Sequence, residues 1–244
     1  MAIYCLNLIN INKLYCILER VLASLDLHKR LLRLSETSKM KKIKINTQQT
    51  HFIGCWNLQN NSLCNEIVQL FENNKNLQKP GGSGKGIDPK IKKTIDISIH
   101  PNDLEKPKFE ILKQYMNELH KCFLDYQNQW PFLKSVLKSV YIPSFNIQKY
   151  SRGDHFAALH SERTSLDSLH RLFAWMTYLN DVDDGGKTNF NHYGIKIKPE
   201  TGKTLIWPAE WTHAHTGEIL KSGTKYIVTG WMHFPSPEEK DLAI

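Results

Sequence analysis

The sequence predicts an α+β chain with a mainly β core, a double-sheet jelly roll supported by N-terminal helices. Three observations carry that expectation. After residue 140 the chain breaks into short runs of strand-forming residues bounded by Gly, Pro, Asn or Asp. Several such runs at regular spacing indicate a sandwich or barrel, and a double-sheet jelly roll is one way to manage its edges. Before residue 140 two segments show helical periodicity, and the overall composition, 41% hydrophobic and 23% charged over 244 residues, is that of an ordinary globular chain. This length suits a catalytic-sized domain with an N-terminal extension.

Residues 1–40 form that extension, helical or poorly ordered, and residues 41–244 the domain, with the jelly-roll core at about 140–235. Leu18, Val21, Leu22, Leu25 and Leu32 fall at helical spacing, so Leu18–Leu34 reads as an amphipathic helix. The apolar stretch Ile3–Leu18 is interrupted by Asn7, Asn10, Asn12 and Lys13, too short and too broken to span a bilayer. No basic segment precedes it as a signal peptide requires. Met40 offers an alternative start. Lys42–Asn46 and Thr50–Trp56 read as short extended runs, and Asn61–Asn73 as a helix carrying Leu63, Ile67, Leu70 and Phe71.

The stretch Lys79-Pro-Gly-Gly-Ser-Gly-Lys-Gly86 lacks the spacing and the flanking elements of a phosphate-binding loop. It reads as a mobile loop, with covering a substrate groove as its one candidate task. Thr94–Ile99 alternates as a strand. Pro107–Trp130 is the clearest helix, because Phe109, Leu112, Met116, Leu119, Phe123, Tyr126 and Trp130 make a stripe for packing on a sheet. Pro131 ends it. Strands then follow at Ser144–Tyr150, Arg171–Asn180, Ile195–Lys198, Lys203–Trp207 and Thr224–Phe234.

Five cysteines, all before residue 123, form no Cys-x-x-Cys pair, which argues against a zinc ribbon or a disulfide framework. Reduced thiols and a soluble, cytoplasmic chain are expected. The net charge of +8 is uneven: residues 1–140 hold 21 Lys/Arg against 12 Asp/Glu, and residues 141–244 hold 11 against 12. A basic half suits an acidic partner such as nucleic acid, but these lysines lie among Asn and Gln without interleaved Arg and aromatics. A solvated surface is the simpler reading.

The chemistry lies between Tyr150 and Trp231. His160-x-Glu162 puts two ligand types on one side of an extended backbone, and His213 or His215 can complete the set; spacing does not choose between them. Two imidazoles and a carboxylate are the ligands of a mononuclear non-haem iron site with open positions. Lys225, beyond the late histidines, could hold an anionic cosubstrate. Arg152 and Arg163 read as solvated, Trp207, Trp211 and Trp231 as packing, and His155 and His192 stay unassigned.

Taken in order, Tyr150-x-x-Gly153-x-x-Phe156, His160-x-Glu162, Tyr178-Leu-Asn180, Gly185-Gly186-x-Thr188, His215-x-Gly217, Lys225 and Gly-Trp231 resemble the prolyl 4-hydroxylase group of iron(II)- and 2-oxoglutarate-dependent oxygenases. The resemblance covers about residues 140–235. It implies a double-stranded β-helix fold and His215, rather than His213, as third ligand with His160 and Glu162. It also implies Lys225 on the distal carboxylate of 2-oxoglutarate, Tyr178 on the same carboxylate, and Thr188 lining the pocket. The implied reaction hydroxylates a C–H bond of a peptidyl prolyl residue, with iron(II), 2-oxoglutarate and O2, and ascorbate as a possible further cofactor. Its implied partner is a protein or peptide. The chain departs from the family pattern in having Glu162 for the usual Asp and one extra residue between Gly153 and His160, as a bulge would produce. The competing readings are a nucleic-acid-modifying oxygenase and a non-catalytic jelly-roll binding module.

Overall fold

Eleven strands and three α-helices organise the residues that this computed structural model describes, 50–84 and 86–242. The expected helix at Leu18–Leu34, the strand at Lys42–Asn46 and the whole extension 1–40 lie outside them. In chain order the elements are β1 (Gly54–Asn57), α1 (Asn61–Asn73), β2 (Lys79–Pro80), β3 (Ile95–Ile99), α2 (Glu110–Gln129), α3 (Pro131–Val136), β4 (Phe145–Tyr150), β5 (Phe156–His160) and β6 (Arg171–Tyr178). There follow β7 (Thr188–Phe190), β8 (Ile195–Ile197), β9 (Lys203–Pro208), β10 (His215–Gly217) and β11 (Lys225–His233).

Local chemistry explains where several of these begin and end. The Asn60 side chain accepts from the Leu63 amide at 3.1 Å, capping the first turn of α1. Phe52 has φ 52°, so the extended run expected from Thr50 begins only at Gly54. The expected Pro107–Trp130 helix opens instead with a 3-10 turn over Pro107–Phe109 and becomes α-helical from Glu110. Pro131 ends it as expected and stands at the first position of α3, where a missing N–H costs nothing.

The strands pair antiparallel in two sheets, β1-β9-β6-β11-β4-β3-β2 and β5-β10-β7-β8, the jelly roll that the strand pattern predicted. β6 is buried on both faces, so it reads as a continuous apolar run rather than an alternating one. Phe173 and Trp175 join the core under the helices, while Ala174, Met176 and Tyr178 join the core between the sheets. The α2 stripe covers the first of these: Tyr115 packs on Trp175, and Phe123 and Tyr126 on Phe173. The Tyr115 hydroxyl lies 2.8 Å from Thr177 Oγ1, which lies 2.8 Å from Thr204 Oγ1, so these three buried hydroxyls are paired, while Trp175 Nε1 in the same core is not. Among the described residues no helix is long and apolar enough to cross a membrane.

This arrangement positions the site through one register. β11 pairs β4 with Lys225 opposite Tyr150, Ile227 opposite Gln148 and Thr229 opposite Asn146. Side chains two apart share a face, and these six residues, with Trp231, line a cavity of about 610 Å³ on the inner face of the large sheet. The opposite face of β11 sends Val228 and Met232 into the helix-side core. Between them Gly230 leaves room for neighbours: a Cβ there would lie 2.8 Å from Trp175 Cζ2 and 2.8 Å from Phe145 Cβ. Gly230→Ala should therefore destabilise the domain by about 1–3 kcal/mol through overpacking, read as a lower denaturant midpoint at unchanged slope.

Candidate metal and cosubstrate site

The smaller sheet brings the two imidazoles together. β5 and β10 pair so that His160 lies opposite His215 and Phe156 opposite Gly217, with a pairing irregularity between. Four residues of one strand thus span the interval covered by two of the other, the kind of bulge that the long Gly153-to-His160 interval anticipated. Just past β5 the amides of Glu162 and Arg163 both donate to the Ala209 carbonyl, at 3.2 and 3.0 Å. Glu162 is therefore not in the strand, yet its Oε1 lies 3.5 Å from His215 Nε2 and 3.8 Å from His160 Nε2. One ligand atom from each of the three falls within 4.8 Å of the others.

The imidazoles are oriented for ligation. His160 Nδ1 lies 2.8 Å from the Ala158 carbonyl, and His215 Nδ1 lies 2.9 Å from the His213 carbonyl. A carbonyl only accepts, so each Nδ1 carries the proton and each Nε2 keeps its lone pair for the space they share. Phe156 stacks on His160 at 3.8 Å between centroids and 14° between planes, while Trp207 meets His215 edge-on at 5.2 Å. Burial pushes the His215 imidazolium down to about 4, helped by the facing His160, so this ring is neutral at ordinary pH. His213 sits in the 3-10 turn Trp211–His213, where its Nε2 donates to the His51 carbonyl at 2.9 Å and its ring packs on Tyr193. The geometry thus groups His215, not His213, with His160 and Glu162.

Across the cavity stands Lys225, 3% exposed. Its Nζ donates to the Gly186 carbonyl at 3.0 Å and lies 4.0 Å from the centroid of the Tyr150 ring. Burial pushes its ammonium down to about 7, with Glu218 opposing that shift only from a distance. Gly185 and Gly186 have φ 79° and 67°, the left-handed backbone that favours glycine, which lets this turn offer its carbonyl to the ammonium. Thr188 lies on the cavity wall. Tyr178 stands behind it, fully buried, with its hydroxyl 2.6 Å from Thr188 Oγ1.

Three neutral-or-anionic donors facing one point fit a divalent iron ion, and an unneutralised buried ammonium fits the far carboxylate of a dicarboxylate cosubstrate. Residues 145–233 match the family model described as the 2OG-Fe(II) oxygenase superfamily, a span that holds all six predicted site residues. "Probable prolyl 4-hydroxylase 9" of Arabidopsis thaliana is 24% identical over 43% of this chain and 48% of its own length. The human "Prolyl 4-hydroxylase subunit alpha-1" is 24% identical over 38% of this chain and 17% of its own. The chain therefore spans less than half of either relative. Among solved structures, a Pseudomonas putida prolyl-4-hydroxylase superposes with TM-score 0.58 at 18% identity, covering 77% of this chain and 95% of that one. A Trichoplax adhaerens prolyl hydroxylase, solved with a hypoxia inducible factor peptide fragment, gives 0.60 at 16%, covering 79% and 87%.

Residues 145–233, which carry the site, are thus similar to the 2OG-Fe(II) oxygenase superfamily. The chain also resembles prolyl hydroxylases in sequence, as its motifs suggested, and shares their fold.

Some residues at the site escaped the sequence reading. Trp231, read as packing, donates from Nε1 to Glu162 Oε2 at 2.7 Å. Arg171, not singled out, lays its guanidinium 3.8 Å from the Trp231 ring centroid. The signal for Trp231 was its spacing of three strand pairs from Lys225, which puts both on one face of β11; Arg171 had none. Tyr150, quoted only as part of a motif, forms the aromatic wall beside Lys225. Two readings are corrected: Trp211, read as packing, is 67% exposed, and Arg163, read as solvated, is partly buried and pairs with Glu210.

The buried lysine has a measurable consequence for the ligand-free protein. Its folded-state ionisation, at about 7, lies below the ~10.4 of an unfolded chain. The unfolded state then binds the extra proton between those values, so stability rises with pH across that window. Lys225→Met should stabilise the ligand-free chain most below pH 7, and the gain should fade by about pH 10. Chemical denaturation at pH 6, 8 and 10 checks this; a gain independent of pH contradicts it.

Proposed function

We propose that this chain is an iron(II)- and 2-oxoglutarate-dependent dioxygenase that hydroxylates a C–H bond, most naturally of a peptidyl prolyl residue. One observation carries the reading: the His160–Glu162–His215 group and the buried Lys225 ammonium face the same cavity. In this reading the three ligands hold iron(II), and Lys225 pairs with the distal carboxylate of 2-oxoglutarate, with Thr188 beside it; Tyr178, expected on the same carboxylate, stands behind the cavity wall and braces Thr188 instead. A charge pair in such a dry pocket is stronger than in water. Bound iron(II) supplies the redox chemistry that activates dioxygen. The reaction balances as substrate C–H plus O2 plus 2-oxoglutarate giving C–OH, succinate and CO2. The polypeptide's part is orientation and exclusion of water: Lys225 fixes one end of the cosubstrate, and the aromatic walls Phe156, Tyr150 and Trp207 keep the cavity dry.

A peptide is the proposed substrate, supported by the prolyl hydroxylase relatives and by the peptide named with the Trichoplax structure. Ascorbate is the proposed reductant for keeping the iron ferrous. The free thiols of Cys55, Cys64 and Cys122 suit a reducing cytoplasm.

Two measurements test this. Anaerobic addition of iron(II) and 2-oxoglutarate should produce the weak visible charge-transfer band of the chelate, and oxygen with a proline-containing peptide should release succinate. Absence of both leaves a binding module; release with an oligonucleotide but no peptide moves the substrate to nucleic acid. Lys225→Ala should weaken 2-oxoglutarate binding by about 2–5 kcal/mol, as for loss of one partner of a buried charge pair, with metal affinity kept. Loss of metal with unchanged cosubstrate affinity would contradict the assignment.

A further inference from the structure

The carboxylate of Glu162 has one methylene more than the aspartate usual in this family, and with it an extra torsion. Left free, it could turn either oxygen, or both, toward the imidazoles. It is not free. Trp231 Nε1, which can only donate, lies 2.7 Å from Oε2, a charge-assisted bond. Arg171 NH1 donates to the Glu162 backbone carbonyl at 3.0 Å and lies 4.0 Å from the same Oε2. The Arg171 guanidinium also stacks on the Trp231 indole, 3.8 Å from its centroid. The indole is thus held between its own strand and a cation, and its N–H meets the oxygen that does not face His215 and His160, while Oε1 does.

We propose that Trp231 is a positioning residue for the metal site: by occupying Oε2 it makes Glu162 a single-oxygen donor through Oε1, with Arg171 holding the indole in place. This rests on the reading of His160, Glu162 and His215 as iron ligands. It gives the longer side chain a reason. An aspartate at 162 is shorter by about 1.5 Å, and on this backbone it is expected to give up the indole bond or the point that the imidazoles face. Glu162 and Trp231 therefore work as a pair, and replacing either should lose the same interaction.

The test is a double-mutant cycle on the full chain stripped of metal, titrated anaerobically with Co(II) and followed by its visible absorption. Wild type, Trp231→Phe, Glu162→Asp and the double variant are compared. Trp231→Phe should weaken Co(II) binding about 10–100-fold, the usual loss when a ligand's supporting hydrogen bond is removed. It should also alter the Co(II) spectrum as the carboxylate becomes free to chelate through both oxygens. In the Glu162→Asp background the same substitution should cost less than threefold. Equal losses in both backgrounds, or an unchanged spectrum with Trp231→Phe, overturn the proposal. A wild-type chain that binds no Co(II) overturns the ligand reading itself, a distinct outcome. Should Trp231→Phe fail to fold, the wild-type indole N–H decides instead. It should resonate downfield, exchange slowly, and lose both properties in Glu162→Asp; an indole signal indifferent to that change overturns the pairing.

Discussion

A lysine ammonium buried without a carboxylate in contact is the constraint on which the rest of the site depends. Desolvating such a charge is costly, and the fold offers only partial relief: the Gly186 carbonyl, the face of Tyr150 and the distant Glu218. The site is left electrostatically unfinished. On the proposed reading a dicarboxylate completes it, which makes the cavity selective before any substrate arrives. The local sequence serves this end. The paired glycines are needed because the turn must expose a backbone carbonyl at positive φ, and a Cβ on Gly186 would come within 3.3 Å of Lys225 Cδ. Tyr150 faces Lys225 because the β4–β11 register puts them opposite one another.

Holding such a charge in place requires a stiff support, and the large sheet provides it. β11, the middle strand of the seven, and β6 beside it are packed on both faces. One face meets α1 and α2, the other the small sheet. The division of labour is visible along β11: Val228 and Met232 belong to the scaffold, while Lys225, Ile227, Thr229 and Trp231 face the cavity. A shift of one residue in this register would exchange the two sets, burying the lysine in the helix-side core. Stability and function are therefore specified by the same pairing.

How much of this could be read from the chain follows from the range of each interaction. α1 was legible end to end, because Asn60 caps it locally and its apolar stripe is regular. The α2 stripe and the longer strands were legible for the same reason. β7 and β10, three residues each, were not: so short a strand has no periodicity, and only pairing with β5 and β8 defines it. The choice of His215 over His213 needed the family resemblance, since both share a side in an extended chain. What separates them in space is the 3-10 turn at Trp211–His213, which turns His213 toward His51. Trp231 was visible as an aromatic but not as a donor, because its acceptor is presented by the turn that Ala209 holds, far away in sequence.

Depth in the cavity then orders the proposed events. Lys225, Thr188 and His215 are buried, at 3%, 5% and 7% exposure, whereas His160, Glu162 and Arg171 are only half-buried. Leu159 and Leu166, close in sequence to His160 and Glu162, are open to solvent. The gradient runs from a buried cationic floor to a more exposed, mixed rim that includes Leu159, Ser165 and Asp167. A small dianion must reach the floor while the mouth is open, and a peptide binding at the rim would close the way behind it. On the proposed reading Lys225, which holds the cosubstrate, and Trp231, which braces Glu162, share one face of β11, so both ends of the site depend on one strand register.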